Sequence, residues 1–195
     1  MVCEIGGGLG GQAFKLLEKL GQRSTVVLFD IPETLVISSF FLMTALPDRS
    51  FQLYGEGDPD PGQFDVVLMP HFMLPSLADQ SVDLFFNSCS FSEIRRDTAE
   101  EYLRQIERAC RRYLLHINHS ARFLWELEDG SVERNLPADE LLPDPRCFKR
   151  IYKHPRVFGR PADLRWLKSR GAQHFAFLYE RLESSLAPFE RKATT

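Results

Sequence analysis

The sequence has little that would support a disulfide framework, a metal cluster or a membrane span. Its four cysteines lie far apart, with no CxxC pair or metal-ligand spacing, which favours buried thiols in a reducing compartment. The longest nearly apolar stretch, residues 35–46, is well below the roughly 18 residues that cross a bilayer, so we interpret it as a buried helix. The N-terminus has no basic segment followed by an apolar one, as a secretory signal would. We therefore expect a cytoplasmic protein without membrane contact.

A basic excess and several common catalytic motifs are also missing. With 24 basic and 27 acidic residues the net charge is -3, whereas phosphate binding needs a basic excess on at least one face. We therefore expect no nucleic-acid partner. The chain has no GxSxG elbow, no GKS or GKT phosphate loop and no HExxH pair, which argues against the hydrolases and nucleotidases built on them. Its 195 residues, 44% of them hydrophobic, predict a single domain over 1–195, with a flexible tail at 188–195.

What is present is an alternation of short apolar runs with helical patterns over residues 1–120. This alternation predicts an α/β sandwich, with a mostly parallel sheet and helices on both faces. The segment between the third and fourth runs is too short for a long helix and predicts at most one helical turn. The predicted strands are 2–5, 25–30, 64–70, 82–87 and 113–118, and the predicted helices are 12–20, 32–46 and 90–112.

The remainder of the chain is less regular. Residues 121–147 combine three prolines with many charges and predict a helical piece followed by an ordered loop. Residues 148–157 and 172–182 are β-like, with a short helix predicted at 162–168 between them. We expect these two segments to form an antiparallel pair at the edge of the sheet.

The most informative segment is VCEIGGGLGG at residues 2–11. A strand that enters a glycine cluster and then a helix makes a tight turn where backbone can approach a ligand closely. The spacing is ambiguous. Gly6, Gly8 and Gly10 give GxGxG, whereas Gly6, Gly8 and Gly11 satisfy the GxGxxG fingerprint of dinucleotide-binding proteins.

Two acidic residues accompany this loop. Glu4 lies at the end of a strand that is otherwise apolar, where a carboxylate without a partner is costly. A cofactor with a cationic amino-acid tail would supply that partner, whereas a dinucleotide pyrophosphate would be repelled. Asp30 ends the second strand, about 20 residues beyond the glycines, where a carboxylate can accept both ribose hydroxyls of an adenosine. Asp30 indicates a cofactor that contains adenosine, which fits both classes of cofactor. Glu4 favours the cofactor with a cationic amino-acid tail over the dinucleotide.

VCEIGGGLGG followed by VVLFDIPE resembles motif I and the acidic motif of class I S-adenosylmethionine-dependent methyltransferases. More narrowly, EIGGGLGG, LFDIPETL and VDLFFNSCSFSEI resemble the sugar O-methyltransferases of glycan and natural-product pathways. The resemblance implies a Rossmann-like class I methyltransferase sandwich, S-adenosylmethionine as cofactor and a sugar hydroxyl as acceptor. It also implies that the methionine end is held by Glu4, Gly6, Gly8 and Gly10, the ribose by Asp30, and the adenine beside Ile31.

The sequence departs from this family at its start. The family has helical sequence before motif I that helps cover the cofactor, whereas here Val2 already belongs to a strand. Either the chain is a fragment, or a partner or second copy covers the cofactor site, or the site stays open.

Polar residues that follow the apolar runs are the candidates for chemistry, because ligands lie beyond the carboxyl ends of strands in such sheets. A hydroxyl acceptor needs a base, and His119 is our first candidate, since an imidazole titrates near neutral pH. His71 is placed near the adenine or the acceptor. Asn87 is a candidate for binding the acceptor hydroxyl or orienting the methyl group. Its alternative role is that of a turn residue bonded to its own backbone.

Two further residues are candidates for acceptor binding, namely Glu93 and Asn118. Glu93 also fits the acidic position of a capping box that starts at Ser90. His116 and His119 are three residues apart in a predicted strand and so point to opposite faces, which argues against a shared metal ion. We expect no metal site.

Two other functions fit parts of the sequence. One is a nicotinamide-dependent oxidoreductase that uses Gly6, Gly8 and Gly11, against which Glu4 and the lack of a separate substrate domain count. The other is a non-catalytic methyltransferase-like chain that serves as a binding partner or regulatory subunit.

Overall fold

Apolar runs without polar alternation form the centre of the sheet, as their composition requires. The computed structural model describes residues 1–20, 24–57, 62–156 and 174–183. The helices are α1 (Gly11–Leu20), α2 (Pro32–Ala45) and α3 (Arg96–Ala109), with 3-10 helices at His71–Ser76 and Phe91–Glu93. The strands are β1 (Val2–Ile5), β2 (Val26–Asp30), β3 (Phe51–Leu53), β4 (Val66–Pro70), β5 (Val82–Ser88), β6 (Cys110–His119), β7 (Leu124–Glu126), β8 (Val132–Arg134), β9 (Phe148–Arg156) and β10 (His174–Arg181).

Eight strands form one sheet in the order β3-β4-β2-β1-β5-β6-β10-β9. The six strands from β3 to β6 are parallel to their neighbours. β10 runs antiparallel between β6 and β9. The Rossmann-like sheet with an antiparallel edge pair is therefore confirmed. Chain order reverses on the two sides of β1, which puts the ligand-binding edge at the carboxyl ends of β1 and β5.

Helices cover both faces of this sheet. On one face, Leu17 of α1 and Leu42 of α2 pack in one buried cluster with Leu28 of β2. On the other face, Ile106 of α3 belongs to a cluster that contains Phe29 of β2. β2 is thus buried on both sides, which explains why its sequence is continuously apolar rather than alternating.

The predicted helix over 90–112 is wrong at both ends. Ser90 starts no α-helix; a 3-10 helix at Phe91–Glu93 and an extended Ile94 precede α3, whose cap residue Arg95 makes no side-chain cap bond. At the other end, Cys110 already pairs with Val82 in the ladder of β5 and β6. Residues 110–112 therefore belong to β6 rather than to the helix, because they join the ladder with β5.

The helical piece predicted within 121–147 is also wrong. This segment contains the small hairpin of β7 and β8, which reverses at Gly130 (φ 78°) beside Asp129. The Asp129 carboxylate accepts hydrogen bonds from the backbone N–H and the hydroxyl of Ser131, at 2.9 and 2.6 Å, and so stabilises the turn. The predicted helix at 162–168 and the tail at 188–195 lie outside the described residues.

The stretch at 35–46 is not the buried helix that its composition predicts. α2 buries Leu35, Ser38 and Leu42, while Val36 and Phe40 are 69% and 75% exposed. One face of α2 meets the sheet, and the opposite face carries apolar side chains in contact with water. Within the described ranges, no helix is long and apolar enough to span a membrane.

Phe85 and Phe40 give a matched test of where the core lies. Phe85 on β5 is fully buried, so Phe85→Ala should reduce the free energy of unfolding by about 3–5 kcal/mol through lost burial and a residual cavity. Phe40→Ala, on the exposed face of α2, should change it by less than about 0.5 kcal/mol. Urea denaturation of both variants measures the difference, and equal losses would contradict this core assignment.

Candidate active site

The glycine loop after β1 requires the GxGxG spacing. Gly6, Gly8 and Gly10 have φ values of 71°, 57° and 89°, which side chains disfavour. A Cβ on Gly6 would lie 2.2 Å from the Ser90 hydroxyl, and one on Gly10 would lie 3.0 Å from Leu42. A Cβ on Gly8 would meet nothing within 4 Å. Gly6 and Gly10 are therefore needed for packing, whereas Gly8 faces open space and leaves room for a ligand against the backbone.

The Glu4 carboxylate lies directly beneath this loop. Its side chain is 2% exposed, and a Cβ built on Gly7 would be 3.1 Å from the Glu4 carboxyl carbon. Burial raises the pKa of Glu4 to about 7. A hydrogen bond from the Ala13 backbone lowers this pKa, and the nearby negative charge of Asp30 raises it. Among the described residues, Glu4 Oε2 has no hydrogen-bond partner. A buried acceptor of this kind calls for a donor that the described residues do not supply, such as a ligand or a water molecule.

Asp30 holds the loop from the second strand. Its Oδ2 accepts a hydrogen bond from the Gly8 N–H at 2.8 Å, and its Oδ1 accepts one from the Ile31 N–H at 2.8 Å. Each carboxylate oxygen has a further lone pair, so these bonds leave capacity for two hydroxyl donors. Ile31, 49% exposed, lies beside Asp30 as an apolar rim.

His71 follows β4 directly and lines a cavity of about 420 Å³ together with Phe72 and Tyr102. Its ring centroid is 5.6 Å from that of Phe72 and 6.4 Å from that of Tyr102. His71 follows Pro70, which pairs with Asp30 in the ladder of β2 and β4, so this cavity adjoins the predicted ribose site. Burial and the charge of Asp30 raise the pKa of Tyr102. His71 Nδ1 is buried and makes no hydrogen bond within the described part of the chain. The geometry suits the predicted place of His71 near the adenine or the acceptor, and that role stays a prediction.

Asn87 and Asn118 are enclosed and hydrogen-bonded within the protein, which argues against both predicted contacts with an acceptor. They are 1% and 0% exposed, and Asn118 Nδ2 donates to Asn87 Oδ1 at 2.8 Å. Asn87 Nδ2 donates to the Ile5 carbonyl at 2.8 Å and to the Ser90 hydroxyl. Asn118 Oδ1 accepts hydrogen bonds from the backbone N–H and the hydroxyl of Ser92, both at 3.2 Å. These amides are already satisfied and fix the segments around the glycine loop. The alternative for Asn87, a turn residue bonded to its own backbone, is wrong, because its side chain bonds to Ile5, Ser90 and Asn118.

Glu93 is exposed at the same edge. The capping-box interpretation fails because Ser90 makes no side-chain cap bond and its hydroxyl bonds with Asn87 instead. Glu93 is therefore not committed to a helix terminus, and its predicted contact with an acceptor stays a prediction.

His119 is the last residue of β6 and is only 6% exposed. Its ring lies 5.0 Å from Phe123 and 5.8 Å from His174, measured between centroids. His174 pairs with His119 across the antiparallel ladder. The sequence pattern did not single out His174. The signal that could have found it is topological, because the first residue of an antiparallel strand lies at the edge where its parallel neighbours end.

His116 takes no part in this group. Its ring stacks on Phe177 at 4.9 Å between centroids, and burial lowers its pKa to about 3, so it is neutral. Phe177 pairs with His116 in the ladder, whereas His119 is three positions further along β6, which places the two histidines on opposite faces. The described residues contain no group of three or more His, Cys, Asp or Glu side chains that could hold a metal ion.

No family model and no curated protein match the sequence, but solved structures do. The PH0226 protein from Pyrococcus horikoshii OT3 aligns with a TM-score of 0.60 at 11% identity, over 93% of this chain and 81% of its own. An S-adenosylmethionine-dependent methyltransferase from Mesorhizobium loti aligns with a TM-score of 0.56 at 13% identity, over 92% of this chain and 90% of its own. The magnesium protoporphyrin IX methyltransferase from Synechocystis PCC 6803 was solved with bound S-adenosylmethionine. It aligns with a TM-score of 0.54 at 14% identity, over 93% of this chain and 70% of its own. The class I methyltransferase fold is therefore confirmed.

The buried Glu4 proton predicts an unusual dependence of stability on pH. The unfolded chain releases this proton near pH 4.5, while the folded chain keeps it up to about pH 7. Because the folded state binds more protons in that window, its free energy of unfolding falls as pH rises, by up to about 3 kcal/mol. Glu4→Gln should remove this fall. Urea denaturation at several pH values between 4.5 and 8 measures the free energy of unfolding of both proteins. The exposed Glu18→Gln on α1 should retain the wild-type slope, and parallel wild-type and Glu4→Gln curves would contradict the assignment.

Proposed function

We propose that this chain binds S-adenosylmethionine and transfers its methyl group to a hydroxyl of a sugar. The observation that carries the proposal is the Glu4 carboxylate, buried beneath a glycine loop with one oxygen that no described donor satisfies. The class I methyltransferase fold places this loop at the ligand-binding edge of the sheet.

The described residues fit the parts of this cofactor. Glu4 would meet the ammonium group of the methionine end, since a cation removes the cost of an ionised buried carboxylate. The backbone at Gly8, where a Cβ would meet nothing within 4 Å, would take the close approach, with Gly6 and Gly10 holding the turn. Asp30 would accept the ribose hydroxyls through its remaining lone pairs, and Ile31 would lie against the adenine.

The bound cofactor supplies a methyl group on a positively charged sulfur, which is already a strong electrophile. The protein's own task is to align the acceptor and to hold the proton that a hydroxyl must lose. His119 lies at the edge of the sheet where the acceptor would sit, and Glu93 is exposed at the same edge. The sugar itself is inferred from the resemblance of EIGGGLGG, LFDIPETL and VDLFFNSCSFSEI to sugar O-methyltransferases.

Calorimetric titration of the full chain with S-adenosylhomocysteine tests the cofactor, with NADH as the comparison ligand. We expect S-adenosylhomocysteine to bind and NADH not to bind, since the pyrophosphate of NADH has the same sign of charge as the Glu4 carboxylate. Radiolabelled S-adenosylmethionine and a panel of nitrophenyl glycosides then test the acceptor. Binding of NADH alone would favour an oxidoreductase. Binding of neither ligand by folded protein would favour a non-catalytic chain.

Gly8 and Gly130 offer a matched test of the glycine loop. Both have positive φ, and a Cβ on either would meet nothing within 4 Å. Gly8→Ala and Gly130→Ala should therefore cost similar stability, about 1 kcal/mol or somewhat more from backbone strain. Calorimetry should show weaker S-adenosylhomocysteine binding only for Gly8→Ala, because the new methyl group occupies the ligand's approach. Equal affinities in the two variants would exclude the loop as the binding surface.

Asp30→Ala should weaken S-adenosylhomocysteine binding by about 1–3 kcal/mol, or roughly 5–150-fold in Kd, because hydrogen bonds to a charged acceptor are lost. Asp48→Ala, at an exposed position after α2, should leave Kd unchanged. Calorimetry measures both, and thermal denaturation confirms that each variant is folded. An unchanged Kd for Asp30→Ala would remove this residue from the site.

A further inference from the structure

The antiparallel pairing of β10 with β6 brings a second imidazole to the predicted acceptor edge. Ile5 pairs with Asn87 and Asn87 with His116, so His119 lies three positions beyond the row that contains the end of β1. At about 3.3 Å per residue this is roughly 10 Å above that row. His174 lies beside His119 at the same height. Both imidazoles therefore lie beyond the carboxyl ends of β1 and β5 along the strand direction, on the neighbouring strands β6 and β10 at the side of β5 away from β1.

The two histidines differ in what they can touch. His119 is 6% exposed and packs edge-on against Phe123, so little of its ring is open to another molecule. His174 is only half-buried. His174 thus has more of its surface open to another molecule at this edge than His119 has.

A negative charge near His174 stabilises a proton that this residue accepts. Burial and the neighbouring His119 lower the pKa of His174, while the negative charge of Glu93 raises it. Burial lowers the pKa of His119, and hydrogen bonds with the backbone of Ala121 and of His119 itself partly oppose this shift. His119 is on β6, Glu93 is on the 3-10 helix after β5, and the β9 residue opposite His174 in the ladder is Arg156. Because the pKa of each imidazole lies below 6.5, both rings are neutral at pH 7 and can accept a proton. The negative charge of Glu93 then stabilises the imidazolium ion that forms on His174.

We propose that His174 is the residue that takes the proton from the acceptor hydroxyl, with His119 and Glu93 as its positioning residues. This inference rests on the proposed methyltransferase function and names a residue that the sequence pattern did not indicate. The acceptor O–H bond breaks and its proton passes to a ring nitrogen of His174. The acceptor oxygen forms its bond to the methyl carbon as the carbon–sulfur bond breaks, and the electron pair of that bond remains on sulfur. The proton leaves for water through the exposed side of His174.

Imidazole titration by NMR tests the pairing without any acceptor. In the full chain, His119→Gln should raise the titration midpoint of His174, because a repelling neighbour is removed. Glu93→Gln should lower that midpoint. His154→Gln, on β9 and exposed, should move neither. If the His174 midpoint is insensitive to both His119→Gln and Glu93→Gln, the proposal is overturned.

Methyl transfer to the nitrophenyl glycosides tests the chemical role. His174→Gln should lower kcat by roughly 10²–10⁴-fold, the range for loss of a general base, with the KM for S-adenosylmethionine and the Kd for S-adenosylhomocysteine unchanged. His154→Gln should retain wild-type kcat. Wild-type kcat in folded His174→Gln overturns the proposal, as does the absence of transfer to every glycoside by wild-type protein. Failure of S-adenosylhomocysteine to bind instead overturns the proposed function, and the NMR coupling of the histidines then still reports on their pairing.

Discussion

A carboxylate held out of water at the end of the central strand is the constraint on which the ligand-binding edge depends. Glu4 lies under Gly7, and the loop above it is held from two sides. Asp30 accepts the Gly8 N–H on the β2 side, and Asn87 donates to the Ile5 carbonyl on the β5 side. Both contacts are hydrogen bonds made by side chains of the sheet. The loop is therefore preorganised around Glu4, which reduces the ordering that a ligand would have to impose.

Polar groups at this edge divide into two kinds according to burial. Asn87 and Asn118 are fully enclosed and hydrogen-bonded to one another and to backbone. Partly satisfied buried amides would be costly, so this closed network fixes a single arrangement of the loops. His174 and Glu93, by contrast, keep contact with water. The first kind gives the site its shape, and the second is accessible to another molecule.

The sequence was sufficient where the information is local. Continuous apolar runs predicted β1, β2, β4 and β5, and the glycine cluster predicted a tight turn after β1. The glycine spacing left GxGxG and GxGxxG open, and the positive φ of Gly10 in the structure separates them. β3 was missed because Phe51–Leu53 has three residues and pairs only with β4. The role of Ser90 was misread because its hydroxyl bonds to Asn87 across the loop rather than to the next helix turn. His174 was overlooked because its place depends on a ladder register between segments more than 50 residues apart, which no short motif encodes.

The water-facing side of α2 has a practical consequence for protein engineering. Val36, Ile37 and Phe40 are 69%, 58% and 75% exposed, so they contribute little hydrophobic burial to folding. Replacing them with glutamate, lysine or glutamine would exchange poor helix formers for better ones. It would also break up a continuous apolar surface of the kind that promotes precipitation. This helix is thus the natural place to begin a redesign for solubility that leaves the sheet edge untouched.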